Sequence, residues 1–311
     1  KGGPAMSVRR IALAALIVAI ASAAPLSGAF ASDEWRSIGH DGMERRFLIH
    51  TPEAGASALR AAVIVLHGGG GNAENAVRMT GFSEKADKEG FIAVYPNGSS
   101  KRFDDKLLTW NARHCCAAAM KQNVDDVGFI SALIDEVVER DGVDPGRVYV
   151  TGMSNGAMMA HRLGVALPDK VAAIAPVVGG LFGDEKVPAT PVAALIINGG
   201  EDEMVPLAGG VHQGRRARAW DGAPLEPAAY QGAFWARAND CAPTPLMEEP
   251  SPELVRWTYQ CPGGAGVVRY VVKDGGHAWP GGEKGRRAGD KPSESLDAID
   301  VIWRFFNTHR R

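Results

Sequence analysis

Apolar and polar positions follow two rhythms along this chain. The run Ala61 to Leu66 (AAVIVL) is apolar at every position, the pattern of a strand buried on both faces. Similar runs predict strands at Arg46–Ile49, Phe91–Tyr95, Arg147–Thr151, Val171–Pro176, Val192–Ile197 and Val267–Val272. Elsewhere apolar residues recur at helical spacing. Phe129, Leu133, Ile134, Val137 and Val138 mark a helix that Asp125 or Asp126 caps and that ends near Gly142. Further helices are predicted around Glu74–Lys88, over Gly156–Ala166 and from Ser293 to Thr308. Alternating strands and helices predict an α/β fold with a mostly parallel central sheet covered on both faces. The rhythm fails over Ser99–Val124, which reads as a loop, and over 206–266. That second stretch carries seven prolines between 224 and 262 and one predicted helix, Pro227–Asn239. It is too long for an ordinary connection and reads as a loop-rich lid. No internal repeat and no linker to a second module appears, so residues 32–311 are expected to form a single catalytic domain.

The first 31 residues read differently. Met6-Ser-Val-Arg-Arg precedes an apolar run, Ile11 to Ala24, too short to span a bilayer comfortably, and Ala29-Phe-Ala31 follows with the small-x-small pattern of a signal-peptidase site. Residues 1–31 are therefore expected to be an over-extended bacterial start, Lys1–Ala5, plus a signal peptide cleaved after Ala31. The mature protein would be secreted or periplasmic, with no stable membrane insertion. Lysine plus arginine (34) nearly balances aspartate plus glutamate (36). No basic stripe stands out, which argues against a nucleic-acid partner. The four cysteines suit export, because disulfides persist outside the cytoplasm. Cys241 and Cys261, both in Pro-rich surroundings, are the favoured pair. Cys115 and Cys116 are left open between a vicinal disulfide, two thiols and a bond to a distant cysteine. No second pair of ligands at finger-like spacing supports a metal site at His114-Cys115-Cys116.

The chemistry gathers at strand ends. Gly152-Met-Ser154-Asn-Gly156 is a G-x-S-x-G pentapeptide between a predicted strand and a predicted helix, the setting in which a sharp turn exposes a serine hydroxyl. A serine needs a base, usually a histidine oriented by a carboxylate. His277 follows the last strand directly after Gly275-Gly276 and is the expected base; His212 lies in the lid and His309 ends the C-terminal helix. The acid should stand just beyond strand Val192–Ile197. Asp202 leads there, with Glu201 and Glu203 in reserve. The amides of Gly69, in His67-Gly-Gly-Gly-Gly71, and of Asn155 are the expected oxyanion donors. A phosphate-binding loop is disfavoured, since G-x-x-x-x-G-K-[ST] is absent. Trp279 and, more weakly, Trp110 are candidates to stack on substrate. Trp220, Tyr230, Trp235 and Trp257 in the expected lid add flat surfaces, favouring aromatic or sugar-linked esters.

Leu66-His-Gly-Gly-Gly-Gly-Asn72, Val124-Asp-Asp-Val-Gly-Phe129, Val148-Tyr-Val-Thr-Gly-Met-Ser-Asn-Gly156, Pro176 and Gly275-Gly-His-Ala-Trp-Pro-Gly281 together resemble the secreted α/β-hydrolase esterases of the polyhydroxybutyrate depolymerase and feruloyl or acetylxylan esterase group. The resemblance implies an α/β-hydrolase fold and hydrolysis of carboxylic esters through an acyl-enzyme, with Ser154, Asp202 and His277 as triad and no metal or organic cofactor. It implies as substrates the feruloyl or acetyl esters of plant polysaccharide, or hydroxyalkanoate esters. Acyl transfer to an alcohol uses the same machinery and is the alternative activity. A non-catalytic binding protein would require a lost triad.

Overall fold

The computed structural model describes residues 1–3, 32–53, 59–101, 106–211 and 216–311. The expected signal segment and His212 lie outside them. Ten described strands form one sheet. In chain order they are β1 (Ser32–His40), β2 (Met43–Thr51), β3 (Arg60–Leu66), β4 (Ile92–Pro96), β5 (Val143–Met153), β6 (Ala173–Val177), β7 (Ala193–Gly199), β8 (Leu246–Ser251), β9 (Leu254–Tyr259) and β10 (Val267–Val272). Their spatial order is β1-β2-β4-β3-β5-β6-β7-β10-β9-β8. The centre, from β4 through β10, is parallel. An antiparallel pair of strands flanks it on each side. This is a mixed α/β architecture of the α/β-hydrolase type.

The pleat of β3 explains the two cores. Ala62, Ile64 and Leu66 face one cluster with Phe129, Leu133 and Trp235. Ala61, Val63 and Val65 face the other with Phe82, Trp303 and Phe306. A strand that feeds both clusters has no polar face, hence its unbroken apolar run. The first cluster is covered by α4 (Asp126–Arg140), α5 (Asn155–Ala166) and α6 (Ala228–Ala238), the second by α1 (Ala73–Thr80), α2 (Phe82–Glu89) and α7 (Ala298–Asn307). A short α3 (Ala117–Lys121) lies within the expected loop.

Three expectations change. The helix predicted over Glu74–Lys88 is two helices, broken at Gly81, whose φ of 70° closes α1 with a left-handed cap. The C-terminal helix starts at Ala298 instead of Ser293, because the hydroxyls of Ser293 and Ser295 donate to the Asp274 carboxylate (both 2.9 Å) and hold that segment in a loop. The largest change concerns 206–266. Its helix α6 buries Phe234 and Trp235 completely, and its strands β8 and β9 extend the sheet. A disulfide joins Cys241 to Cys261, tying the end of α6 to the end of β9. Cys115 and Cys116 are bonded to each other.

Candidate active site

The elbow is built by contact as much as by sequence. Ser154 sits between β5 and α5 with φ 58° and ψ −120°, a strained conformation that aims its side chain out of the sheet. A Cβ on Gly152 would stand 2.7 Å from the Leu66 carbonyl oxygen, and one on Gly156 2.6 Å from that of His67. Only glycine lets β5 and α5 pass this close to the end of β3.

The serine hydroxyl lies 2.9 Å from Nε2 of His277, and Nδ1 of that ring lies 2.8 Å from Oδ2 of Asp202. An ionised carboxylate only accepts, so Nδ1 donates to it and Nε2 is left to accept from serine. The Asp202 carboxylate is itself fixed, since its Oδ1 accepts the amides of Met204 (2.7 Å) and Val205 (2.8 Å). The acid turn docks on the base loop through the Glu201 amide, which donates to the Gly275 carbonyl at 2.8 Å. Asp202 is buried whereas Glu201 and Glu203 are exposed beside it.

The glycine loop packs against the start of α5, with Gly69 beside Asn155. The Gly70 amide donates to Leu108 and the Gly71 amide to Gly68. Among the described residues no carbonyl takes the Gly69 amide in that way. Asn155 also works through its side chain, which sequence reasoning missed. Its Oδ1 accepts the Trp110 amide at 2.7 Å and its Nδ2 donates to the Trp110 carbonyl at 3.0 Å.

Trp110 and Trp279 are not in the cleft, which corrects the stacking expectation. Trp110 is fully buried, and its Nε1 donates to the His67 carbonyl at 3.0 Å, so the ring braces the glycine loop from behind. Trp279 is 1% exposed and packs edge-on against Phe82 under α2. The lid aromatics do not reach the cleft either. Trp235 and Tyr230 pack on Phe234, Trp257 lies under Arg269, and Trp220 lies beside Phe182.

His67 gives the loop its rigidity. Its Nδ1 donates to the Gly68 carbonyl (2.8 Å) and its Nε2 accepts the Gly98 amide (3.0 Å), which requires one neutral tautomer. Burial pushes its pKa down to about 4, against the pull of the Gly68 carbonyl. Asp125 caps α4 by accepting the Gly128 amide at 2.9 Å. Asp126 is fully buried; it accepts Arg45 at 2.6 Å and the Asn111 amide at 2.7 Å, bolting the loop that carries Trp110 to the core.

A cleft of about 490 Å³ opens over Ser154, lined by the glycine loop, Met79, Leu107, Met153, His277 and Arg286. Beyond His277 a second, polar arm of about 780 Å³ is lined by residues including Glu201, Glu203, Asp274, Ser293 and Arg286. No described residue of 206–266 lines either arm. The roof is instead the strap Glu283–Asp290, which supplies Arg286, Gly289 and Asp290 to both arms. Among the described residues no group of three His, Cys, Asp or Glu side chains is disposed to hold a metal ion, and no helix is long and apolar enough to cross a membrane.

A family model described as "Esterase PHB depolymerase" matches residues 46–217. The chain is 31% identical over 279 residues to "Putative esterase NocK" from Nocardia uniformis subsp. tsuyamanensis, covering 78% of this chain and 72% of that one. It is 30% identical over 210 residues to "Feruloyl esterase B" from Piromyces equi, covering 65% of this chain but only 37% of that longer protein. In three dimensions it resembles an acetyl xylan esterase from Aspergillus awamori at TM-score 0.59 and 16% identity, over 88% of this chain and 99% of that one. At that identity the likeness concerns the fold.

Proposed function

The chain belongs to the esterase PHB depolymerase family, and from that premise we propose that it is an exported serine hydrolase that cleaves carboxylic esters through an acyl-enzyme on Ser154. The observation that carries this reading is the unbroken chain of hydrogen-bond distances from Ser154 through His277 to Asp202. His277 takes the serine proton as Oγ attacks the ester carbonyl, and Asp202 holds the imidazole in the tautomer that can do so. The amides of Gly69 and Asn155 take the charge on the carbonyl oxygen. His277 then returns its proton to the leaving alcohol, and a water repeats the sequence to free the acid. Protein groups carry every step. The Cys241–Cys261 disulfide supports a mature enzyme working outside the cytoplasm, and the single ten-stranded sheet supports residues 32–311 as one catalytic domain.

The two arms divide the substrate. The alcohol must lie on the side of the group that protonates it, so it enters the polar arm beyond His277, where carboxylates and Ser293 can bond hydroxyl groups. The acyl group enters the arm with Met79, Leu107 and Met153, which offers aliphatic surface and, among the described residues, no phenylalanine, tyrosine or tryptophan face. Short aliphatic acyl groups on hydroxyl-rich alcohols, as in acetylated xylan, fit this division better than feruloyl esters. A panel of acetylated xylan, methyl ferulate, hydroxybutyrate oligomers and p-nitrophenyl esters of rising chain length tests it, with an added alcohol acceptor to expose any acyl transfer. Faster hydrolysis of methyl ferulate than of acetylated xylan would overturn the substrate assignment.

A further inference from the structure

The base His277 stands on a loop that carries two glycines. Gly275 and Gly276 precede it, two residues beyond the end of β10, and glycines leave the backbone more conformations to lose than other residues do. The imidazole is held at Nδ1 by Asp202, but a side-chain bond fixes a ring only as well as the backbone beneath it. That backbone has a second partner. The His277 amide donates to Oδ2 of Asp290 at 2.7 Å, a short bond to an ionised acceptor. A Cβ on Gly276 would stand 2.7 Å from the same oxygen, so the carboxylate lies flat against the loop.

Asp290 is an exposed residue, but the segment that carries it is anchored. Asp290 closes the strap, which is anchored at its other end to α1. The Glu283 amide donates to the Met79 carbonyl at 3.0 Å, and the Gly285 carbonyl accepts Asn75 Nδ2 at 2.7 Å and Arg78 at 2.9 Å. The strap's base is pinned by the Gly281 amide donating to the Ser293 carbonyl at 2.8 Å. Helix α1 begins immediately after the glycine loop and is capped by Asn72. Hydrogen bonds thus tie one end of the strap to α1, on the oxyanion side of the cleft, and the other end to the backbone of the base, with the chain from Gly285 to Asp290 joining the two.

We propose that Asp290 is a positioning residue for His277, holding the main chain of the base in register with Ser154 and transmitting to it the placement of α1 through the strap. The role rests on the esterase reading above. It assigns Asp290 no contact with the reacting atoms. A misplacement of the base by about 1 Å costs on the order of a hundredfold in rate, so loss of this hold is felt in kcat more than in KM.

Three variants and one independent readout test it. Asp290→Ala should lower kcat for p-nitrophenyl acetate by about ten- to a hundredfold, with KM changed by less than about twofold. Asp290→Asn keeps an oxygen that accepts the His277 amide and should restore kcat to within about threefold of the parent. Asp290→Glu keeps the charge but carries its carboxylate one methylene away from the place where it meets the His277 amide at 2.7 Å, so it should lose kcat as the alanine variant does; this arm stands if Asp290→Ala fails to fold. Labelling of Ser154 by a fluorophosphonate should slow in the same order. The proposal is overturned if the alanine and glutamate variants turn over at the parent rate, or if Asp290→Asn is as slow as Asp290→Glu. A parent enzyme that takes no fluorophosphonate at Ser154 would instead sink the esterase reading itself.

Discussion

The insertion at 206–266 and the strap at 283–290 both follow strands at the same end of the sheet, yet they do opposite jobs. The longer, proline-rich segment contributes Phe234 and Trp235 to the core, two strands to the sheet and a disulfide to its own closure. The shorter one buries little, exposes Arg286 and Asp290, and lines both arms of the cleft. Irregular sequence therefore reports the loss of a simple period, not a position over the site. Position follows from topology: the strap comes directly after the loop that bears His277, whereas β8 and β9 carry the insertion outward beyond β10 to the sheet edge.

The comparison predicts that substitutions around the cleft change turnover and substitutions in the insertion change stability. The largest effect belongs to the cleft. Ser154→Ala or His277→Ala should each lower kcat by about 10⁴ to 10⁶, with the double variant no worse than the worse single, because the two act as a unit. A double variant far below both singles would break the assignment. Thermal unfolding of these variants should stay close to that of the parent.

In the insertion, Trp235→Ala should cost about 3–5 kcal/mol in denaturant unfolding, because it empties a fully buried site. It also removes the indole N–H that donates to His161 Nδ1 at 2.9 Å. Turnover per folded molecule should stay within about twofold; a large loss would mean that the insertion does serve the cleft. Opening the Cys241–Cys261 bond, which closes a separation of 20 residues, should cost roughly 3 kcal/mol and again spare kcat.

Acid should strike both regions together. His67 braces the glycine loop, and His161 joins α5 to Gln231 (2.8 Å) and Trp235 of α6. Burial lowers both to about 4, against an ordinary value near 6.5. The unfolded chain then binds protons that the folded one refuses. Stability is complete above about pH 6.5 and falls as pH drops towards 4, by roughly 3 kcal/mol per histidine. Unfolding free energies measured across that window check the sign, and a His161→Gln variant should show the shallower slope. The smallest effect tests the cleft's lining: Trp279→Phe should leave the ratio of kcat/KM for methyl ferulate to that for p-nitrophenyl acetate within about twofold, since that ring lies outside the cleft.

What the sequence made legible follows from how local each signal is. The central strands announced themselves because both faces are buried. β1 did not, since most of SDEWRSIGH is exposed at a sheet edge, and neither did β8, an exposed edge strand containing Pro250. Gly81 looked like a helix interior because a left-handed cap between two helices leaves the apolar spacing nearly intact. At the site, Ser154 and His277 could be singled out because a tight elbow and a strand-end loop each demand neighbouring glycines. Asp290 and the side-chain role of Asn155 could not, because both depend on partners brought together only by the fold. The tryptophans misled for a related reason: Trp279 is two residues from His277 in sequence, but its ring points under α2.

The central claim is that Ser154 becomes acylated. Acid-quenching the enzyme during turnover of p-nitrophenyl acetate and mapping its peptides by mass spectrometry tests this most directly. An acetyl adduct should appear on Ser154, should vanish in Ser154→Ala, and should build up with a burst of p-nitrophenol no larger than the enzyme concentration. Steady ester hydrolysis with no adduct at Ser154, or hydrolysis undiminished in Ser154→Ala, would contradict the account.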